Sequence, residues 1–538
     1  MTTIPASTSD QRKSENVAQT AFKVMLGSFL SLLTSLLSVL VVAWVFGAGA
    51  EMDAFTTAWV VPAYLQAVLL SGLAFVLIPA FVREKAEGRE EEAWALAGTF
   101  FWITGGVLTL LAVWFAFNAP TVVALTAPGL SSAKAQLTSK MLFVLMFSIP
   151  IAGLGNLASG VQNARGSFFW PTMGPILCSF ANIAVILLGR AVLGPMTLAW
   201  AGLASALIMG LVPLVPFLRH GWKRLLPLTD PRVKELGRLV APFIVFGVIT
   251  RATPVFERYY ASGLPDGALS SLGYAAKIGA VVMSVFGVSI ATAIFPVMAR
   301  KYEARGKDGL AETALYGVRL TLAIALPMVT ILSATSVPLV QVFFERGAFT
   351  HETTLTVAQI VPLVLIVVLF DMLSNVTSRT FYVMRDTVSG PRIATIASIL
   401  YVILAGWLVA QGFGIWGLAL AGVVQWSILT VIQAIVLARR EVWTLAPLLK
   451  SGATYFALAL LAGFVAYLFR NLLGLFPVLV CLGISILISG ILYLVTLLVF
   501  DRQVAINVLE LVGAQKLKGF SLTAIRNIFH LVETKNPL

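Results

Sequence analysis

Residues 24–46 read VMLGSFLSLLTSLLSVLVVAWVF, with Lys23 before them and Glu51 the first charge after them. An α-helix needs about 20 such residues to cross a hydrocarbon layer of about 30 Å. Apart from the Trp44 indole, the polar side chains in the run are the hydroxyls of Ser28, Ser31, Thr34, Ser35 and Ser38, and none is charged. Similar runs follow near 54–82, 92–117, 140–162, 170–189, 195–218, 236–256, 269–298, 316–344, 355–384, 391–411, 415–438, 449–469 and 476–499, making fourteen. Of the 538 residues 59% are apolar and 11% charged, whereas a soluble domain carries about 25% charged residues and needs them as a skin around its core. The pattern predicts an all-α polytopic membrane protein. It excludes a secreted soluble enzyme, a disulfide scaffold and, despite a net charge of +13, a nucleic-acid-binding domain.

The smaller counts agree. Cys178 and Cys481 lie inside apolar runs, and His220, His351 and His530 are scattered without metal-ligand spacing. The first 20 or so residues are polar and lack a small-residue cleavage site, so the first run is predicted to be a retained helix.

Basic residues orient the chain. An even number of crossings puts both termini on one side. With that side cytoplasmic, the inner segments take most of the 37 Lys and Arg, in the clusters Arg83/Lys85/Arg89, Arg219/Lys223/Arg224/Arg232/Lys234/Arg238, Arg300/Lys301/Arg305/Lys307 and Arg439/Arg440/Lys450. The outer loops keep a few, among them Lys134, Arg190, Arg346 and Arg470. The charge is explained by loop topology and contact with anionic lipid heads, with no nucleic acid involved. After Phe500 the tail continues as an amphipathic segment predicted to lie on the inner membrane face.

One landmark occurs twice. Residues 74–83, AFVLIPAFVR with Pro79, correspond to residues 291–300, ATAIFPVMAR with Pro296. Asn163-Ala-Arg165 followed by Pro171 corresponds, at nearly the same offset, to Met384-Arg385 followed by Pro391. The expected organisation is a cytoplasmic segment (1–23), a six-helix half (24–218), a second six-helix half (236–438), two further helices (449–499) and a cytoplasmic tail (500–538). Both halves enter from the same side, which defines a parallel repeat; in such transporters the substrate site lies between the halves. Pro79, Pro296 and Pro254 are candidate kinks.

At several places the sequence resembles the MviN/MurJ-type lipid II flippases of the multidrug/oligosaccharidyl-lipid/polysaccharide exporter superfamily. The residues concerned are Gly47-Ala-Gly49 with Asp53-Ala-Phe55, Phe344-Glu-Arg-Gly-Ala-Phe-Thr350, and Arg379-Thr-Phe-Tyr382 with Arg385-Asp-Thr387. Ala268-Leu-Ser, Gly273-Tyr-Ala275 and Phe286-Gly-Val288 complete the set. The resemblance covers about residues 24 to 500 and implies transfer of undecaprenyl-pyrophosphate-linked muropeptide from the inner to the outer leaflet of a bacterial cytoplasmic membrane. It also implies membrane lipids and the cell-wall synthesis machinery as partners, and no cofactor beyond coupling to the membrane potential or a monovalent cation. Members of that family carry cavity arginines along the first span and in the second, with an Asp-Arg pair and a Glu in the eighth. Here the first span offers Ser31, Ser35 and Ser38, the second Gln66, and the eighth Ala276-Lys277 with Ala280. Lys277 is the one cation kept at a matching place. The substrate is therefore held differently, or is another lipid-linked glycan, or transport has been lost.

Charges inside apolar runs mark functional sites, because each costs about 2.5–3.5 kcal/mol at the bilayer centre. Four stand out: Arg251, Lys277, Asp371 and Arg379. Arg251 and Lys277 fall at similar depth in consecutive spans, where they either share one wall and hold a pyrophosphate together or pair with Glu257 and the outer interface. Asp371 and Arg379 lie two turns apart on one face. Asp371 is a candidate coupling-ion site, and Arg379 either meets substrate or anchors the loop through Asp386. Asp53, at the outer end of the second span, is expected to cap that helix. The leading expectation is a flippase for a polyprenyl-pyrophosphate-linked glycan, lipid II first and another surface-polysaccharide lipid second. Rivals are an ion-coupled drug exporter of the same superfamily, which tends to place an acid in the first spans, and a membrane enzyme, for which no catalytic or metal constellation is present.

Overall fold

The computed structural model describes residues 8–218, 225–474 and 476–511. Arg219, His220, Lys223, Arg224, the first seven residues and the tail beyond Leu511 lie outside them. Among the described residues the regular structure is helical and no strand occurs. In chain order the helices are α1 Thr8–Phe46, α2 Ala50–Ala86, α3 Glu90–Phe117, α4 Ala119–Thr126, α5 Ser132–Met146, α6 Ser148–Ala164, α7 Phe169–Leu193, α8 Thr197–Leu218, α9 Pro231–Thr250 and α10 Thr253–Ala261. They continue as α11 Ala268–Val282, α12 Val288–Ala334, α13 Ser336–Phe344, α14 His351–Val383, α15 Ser389–Ala410, α16 Gly414–Arg439, α17 Leu445–Leu472, α18 Val478–Phe500 and α19 Arg502–Leu511. Among the described residues twelve stretches are long and apolar enough to cross a membrane; Phe169–Val215 and Ala268–Ala334 each hold two of the expected runs. The first of these divides at the turn Gly194–Met196, the second at Gly306, whose φ of 59° interrupts α12. The chain is an all-helical, multi-pass membrane protein.

Three expected runs are broken, and one rule accounts for the breaks. Proline has no N–H, so it leaves the carbonyl four residues earlier without its helical donor. Helix α5 stops at Met146, four before Pro150; α9 stops at Thr250, four before Pro254; α12 stops at Ala334, four before Pro338. Pro254 thus sits in the first turn of a new helix, where proline is well tolerated, instead of kinking a continuous one. The carbonyl of Ala334 finds a replacement donor in Arg470 Nη1 at 3.0 Å. Pro79 and Pro296, by contrast, lie inside helices that continue past them.

Segments pack into two compact units: Met1–Tyr274 with Phe343–Val357 and Ala394–Ala421, and Ala275–Val342 with Ala358–Ile393 and Gly422–Leu538. This is a division by packing, not by sequence repeat. In the first unit α6 and α8 touch backbone to backbone: a Cβ on Gly155 would lie 2.4 Å from Gly210 Cα, and one on Gly210 would lie 2.3 Å from the Ile151 carbonyl oxygen. Small residues permit such approach where apolar burial alone gives no drive between helices in lipid. In the second unit α17 packs on α12, with Thr330 Oγ1 donating to the Ala459 carbonyl at 2.7 Å. At one end Asp501 accepts hydrogen bonds from Arg319 and from the Tyr455 hydroxyl, both at 2.5 Å. The two C-terminal spans are thereby pinned to the rest of their unit.

Candidate functional site

The sequence landmarks of the first unit meet at one point. Gly47 ends α1 with φ +60°, and a Cβ there would lie 2.3 Å from the Ala348 carbonyl oxygen. Gly347, φ +59°, would put a Cβ 2.3 Å from Trp44 Cδ1. Both positions need the left-handed conformation and the missing side chain together. The gap is closed by backbone and phenol: Ala348 N donates to the Trp44 carbonyl at 2.9 Å, and the buried Tyr274 hydroxyl donates to the Gly47 carbonyl at 2.9 Å. Tyr274 also packs against Phe344 and Phe349. Arg346 is exposed in the same turn, its carbonyl accepting from Phe349 N at 3.1 Å.

Asp53 belongs to this point but does not cap its own helix. It sits one turn inside α2, where its amide already bonds the Gly49 carbonyl at 2.9 Å. Its buried carboxylate reaches instead to the start of α11, accepting from Gly267 N and Ser270 N, each at 2.8 Å. Lys134 Nζ joins it at 3.2 Å and also holds Asp266 at 2.8 Å. A carboxylate at a helix N-terminus is favoured by orphan amides and helix dipole alike.

The first-span hydroxyls do not form one free stripe. Ser38 Oγ donates to Asn182 Oδ1 at 3.1 Å, and Asn182 continues to Ser205 at 3.3 Å, tying α1 to α7 and α8. Ser31 and Gln66 are half-buried and Ser35 is exposed. Arg251 is exposed at the break between α9 and α10 and has no ion-pair partner among the described residues. Glu257, its expected counter-charge, pairs with its neighbour Arg258 instead.

In the second unit Lys277 is exposed on α11 and has no ion pair among the described residues. Asp371 is half-buried and accepts from Asn375 Nδ2 at 2.9 Å, with no cation among its partners. Arg379 donates to the Ala291 carbonyl at 2.7 Å and lies over the Phe295 ring at 5.7 Å. The expected anchor through Asp386 is not made. Asp386 serves the next helix, accepting from Val388 N at 3.0 Å and Ser389 N at 2.9 Å, and binds Arg440 at 2.5 Å. Partial burial acts to raise the Asp386 pKa, but these bonds outweigh it and hold the carboxyl well below the usual carboxylate range.

A cavity of about 950 Å³ opens in the same unit among α12, α14, α16 and α17, lined by Leu322, Ile366, Phe370, Val431, Phe456 and Phe464 among others. Sequence reading missed it, because leucine and phenylalanine look alike whether they face lipid or a groove. Lys134 and Arg470, read only as topology markers, turn out to be specific hydrogen-bond donors. The loop Asp266-Gly267-Ala268 is a helix-start signal that called for such a cap. Among the described residues no group of His, Cys, Asp and Glu could hold a metal ion, and Cys178 and Cys481 are free.

The fold is shared with solved structures described as transporters of the MOP superfamily. A solved inward-facing multidrug resistance MATE family transporter of that superfamily superposes with a TM-score of 0.64 at 15% identity, over 78% of this chain and 98% of the other. A lipid II flippase MurJ in an inward closed conformation superposes with a TM-score of 0.76 at 21% identity, over 90% of this chain and 99% of the other. The family described as "Lipid II flippase MurJ" matches residues 42–482, and the chain belongs to it. Among its relatives are probable lipid II flippases MurJ of Synechocystis, 25% identical over 77% of this chain and 80% of the relative, and of Rhizobium meliloti, 30% identical over 58% and 61%.

Proposed function

We propose that the chain is a flippase that carries lipid II, a polyprenyl-pyrophosphate-linked glycan, from the inner to the outer leaflet of a bacterial cytoplasmic membrane. Beyond family membership, one observation carries the reading. A single unit combines an exposed lysine on a membrane helix, Lys277, that has no counter-charge among the described residues, with an apolar cavity of about 950 Å³. A pyrophosphate needs the first and a polyprenyl chain the second. Arg251, Gln66, Ser31 and Ser35 are the further polar groups this reading assigns to the substrate, in place of the family's arginines.

The reading extends to fourteen crossings with both termini cytoplasmic, two parallel six-helix repeats that expose a central site alternately to each side, and Asp371 as the group through which a monovalent cation or the membrane potential acts. No covalent chemistry is involved, and the cell-wall synthesis machinery supplies and receives the substrate. A tag after Gly263 should be periplasmic; a cytoplasmic signal there would overturn the parallel repeat. Depleting the protein from its own cell should make lipid-linked muropeptide accumulate. Accumulation of a different polyprenyl-linked glycan would move the reading to a surface polysaccharide, and unchanged precursor levels would remove it.

A further inference from the structure

The helix that carries Lys277 changes pitch once. Helix α11 ends at Val282, a π-helical turn runs from Met283 to Gly287, and α12 continues from Val288. A π turn takes up one extra residue, which rotates all that follows by about 100° relative to a regular α-helix. Counting on from Lys277 with regular spacing reaches residues 284, 288, 291 and 295. The extra residue moves the same face to Ser289, Thr292 and Pro296. Past the π turn Ser289, Thr292 and Pro296 of the shifted count are all exposed, whereas of the regular count Val288 is exposed, Ala291 buried and Phe295 half-buried.

The result is a polar stripe along a membrane helix, running about 22 Å from Lys277 to Thr292 at about 1.5 Å per residue. Polar groups so placed are tolerated when they face water or a polar guest, not lipid. The hydroxyls now donate to their own helix, Ser284 to Val281, Ser289 to Val285 and Thr292 to Val288, at 2.9, 2.8 and 2.7 Å. A hydroxyl can turn that proton toward an arriving anion at little cost.

Arg379 stands at the far end of the stripe. Helix α14 runs beside α11 and α12: a Cβ on Gly279 would lie 2.9 Å from the Val364 and Val368 side chains, and one on Gly287 2.9 Å from Met372 Cγ. This register brings Arg379 to the Ala291 carbonyl and, at 3.5 Å, to Thr292 Oγ1. No carboxylate pairs with it among the described residues; Asp386 is held by Arg440, and Asp371 by Asn375. Among the described residues its Nε has no hydrogen-bond partner, and Nη2 makes only the long Thr292 contact. These two donors form one edge of the planar fork that matches a phosphate.

We propose that this stripe is an anion track with two stations: Lys277 in the outer half, and Arg379 with Thr292 at the inner end, where the pyrophosphate of the lipid substrate is met first. The proposal rests on the flippase reading and adds to it Arg379 as a station at the inner end and a path between it and Lys277.

The test uses the full-length protein in nanodiscs, with a photoreactive side chain at Ala293 or at Ala280, both exposed neighbours of the stations. The probe is a labelled polyprenyl pyrophosphate, with the matching polyprenyl alcohol as the neutral arm. The pyrophosphate should crosslink at both positions and the alcohol poorly at either. Arg379→Ala should cut the Ala293 yield at least about 10-fold, the loss of one charge-assisted contact, while sparing the Ala280 yield. Arg379→Lys should restore most of it, which a misfolded variant would not allow. Lys277→Ala should do the reverse. Undiminished Ala293 crosslinking in Arg379→Ala, or crosslinking at Ala280 alone in the unaltered protein, would overturn the track and leave the flippase reading standing. No pyrophosphate crosslink at either position would count against the flippase reading itself.

Discussion

Asp53 caps a helix that begins more than two hundred residues downstream: its Oδ1 accepts the Ser270 amide, 217 positions away, at 2.8 Å. Together with Gly267 N and Lys134 Nζ this places a buried carboxylate among three donors. The same neighbourhood holds the Tyr274 hydroxyl on the Gly47 carbonyl, so the start of α11 is fixed by one charged and one neutral contact to the α1–α2 corner.

Asp53→Ala should therefore destabilise the start of α11 more than Tyr274→Phe does. The aspartate variant loses two charged bonds to amides and leaves Lys134 with the exposed Asp266 alone, at about 1.5–3 kcal/mol per bond lost. The phenol variant loses one neutral bond, about 1 kcal/mol. Hydrogen exchange of the Gly267–Ser271 amides reads the difference directly. Equal exchange in the two variants would show that the cap does not hold this helix.

Arg470 gives a second prediction with an internal control. Its guanidinium replaces the donor that Pro338 withholds from the Ala334 carbonyl. Arg470→Ala should lower the thermal stability of the solubilised protein by about 1–3 kcal/mol, the cost of leaving a half-buried acceptor without its charged donor. Pro338→Ala restores an N–H four residues on, so adding it to Arg470→Ala should recover much of the loss. Strict additivity of the two changes would mean that they act on separate features.

Much of this was legible in the chain. Hydropathy alone locates the membrane-crossing stretches, because no soluble pattern supplies uncharged runs of that length. The breaks at Met146, Thr250 and Ala334 follow from prolines four residues later, a local rule. The partners of Asp53 and Asp386 are not legible, since each meets a group chosen by tertiary packing; sequence proximity puts Asp53 on its own helix and offers Asp386 only as one of two alternatives for Arg379. The π turn at Met283–Gly287 was also hidden. No residue there announces it, yet it decides which side chains share a face with Lys277. The apolar cavity leaves no trace in a periodicity that treats lipid and protein as the same solvent.

Asp386 yields a pH prediction. Its folded pKa is depressed, so its contribution to stability is complete above the ordinary carboxylate value of about 3.9 and is lost as pH falls through the lower folded value. The stability difference between the unaltered protein and Asp386→Asn should stay constant from pH 7 to about 5 and shrink only below about 4. Arg440→Ala, which removes one of the groups holding the carboxylate, should make the difference smaller and bring its decline to an end at a higher pH. A difference already closing at pH 6 would contradict the assignment.

Lys277 is the exposed cation of α11, without an ion pair among the described residues. The most direct measurement is the fraction of lipid II cleaved by an enzyme added outside cells whose own flippase has been depleted and replaced by this chain. The unaltered protein should bring lipid II to the outside. Lys277→Ala should lower the rate about 10- to 100-fold at equal protein level, as loss of one charge-assisted headgroup contact requires, and Lys277→Arg should keep most of it. Export by Lys277→Ala at the unaltered rate would show that the headgroup is not held by this cation.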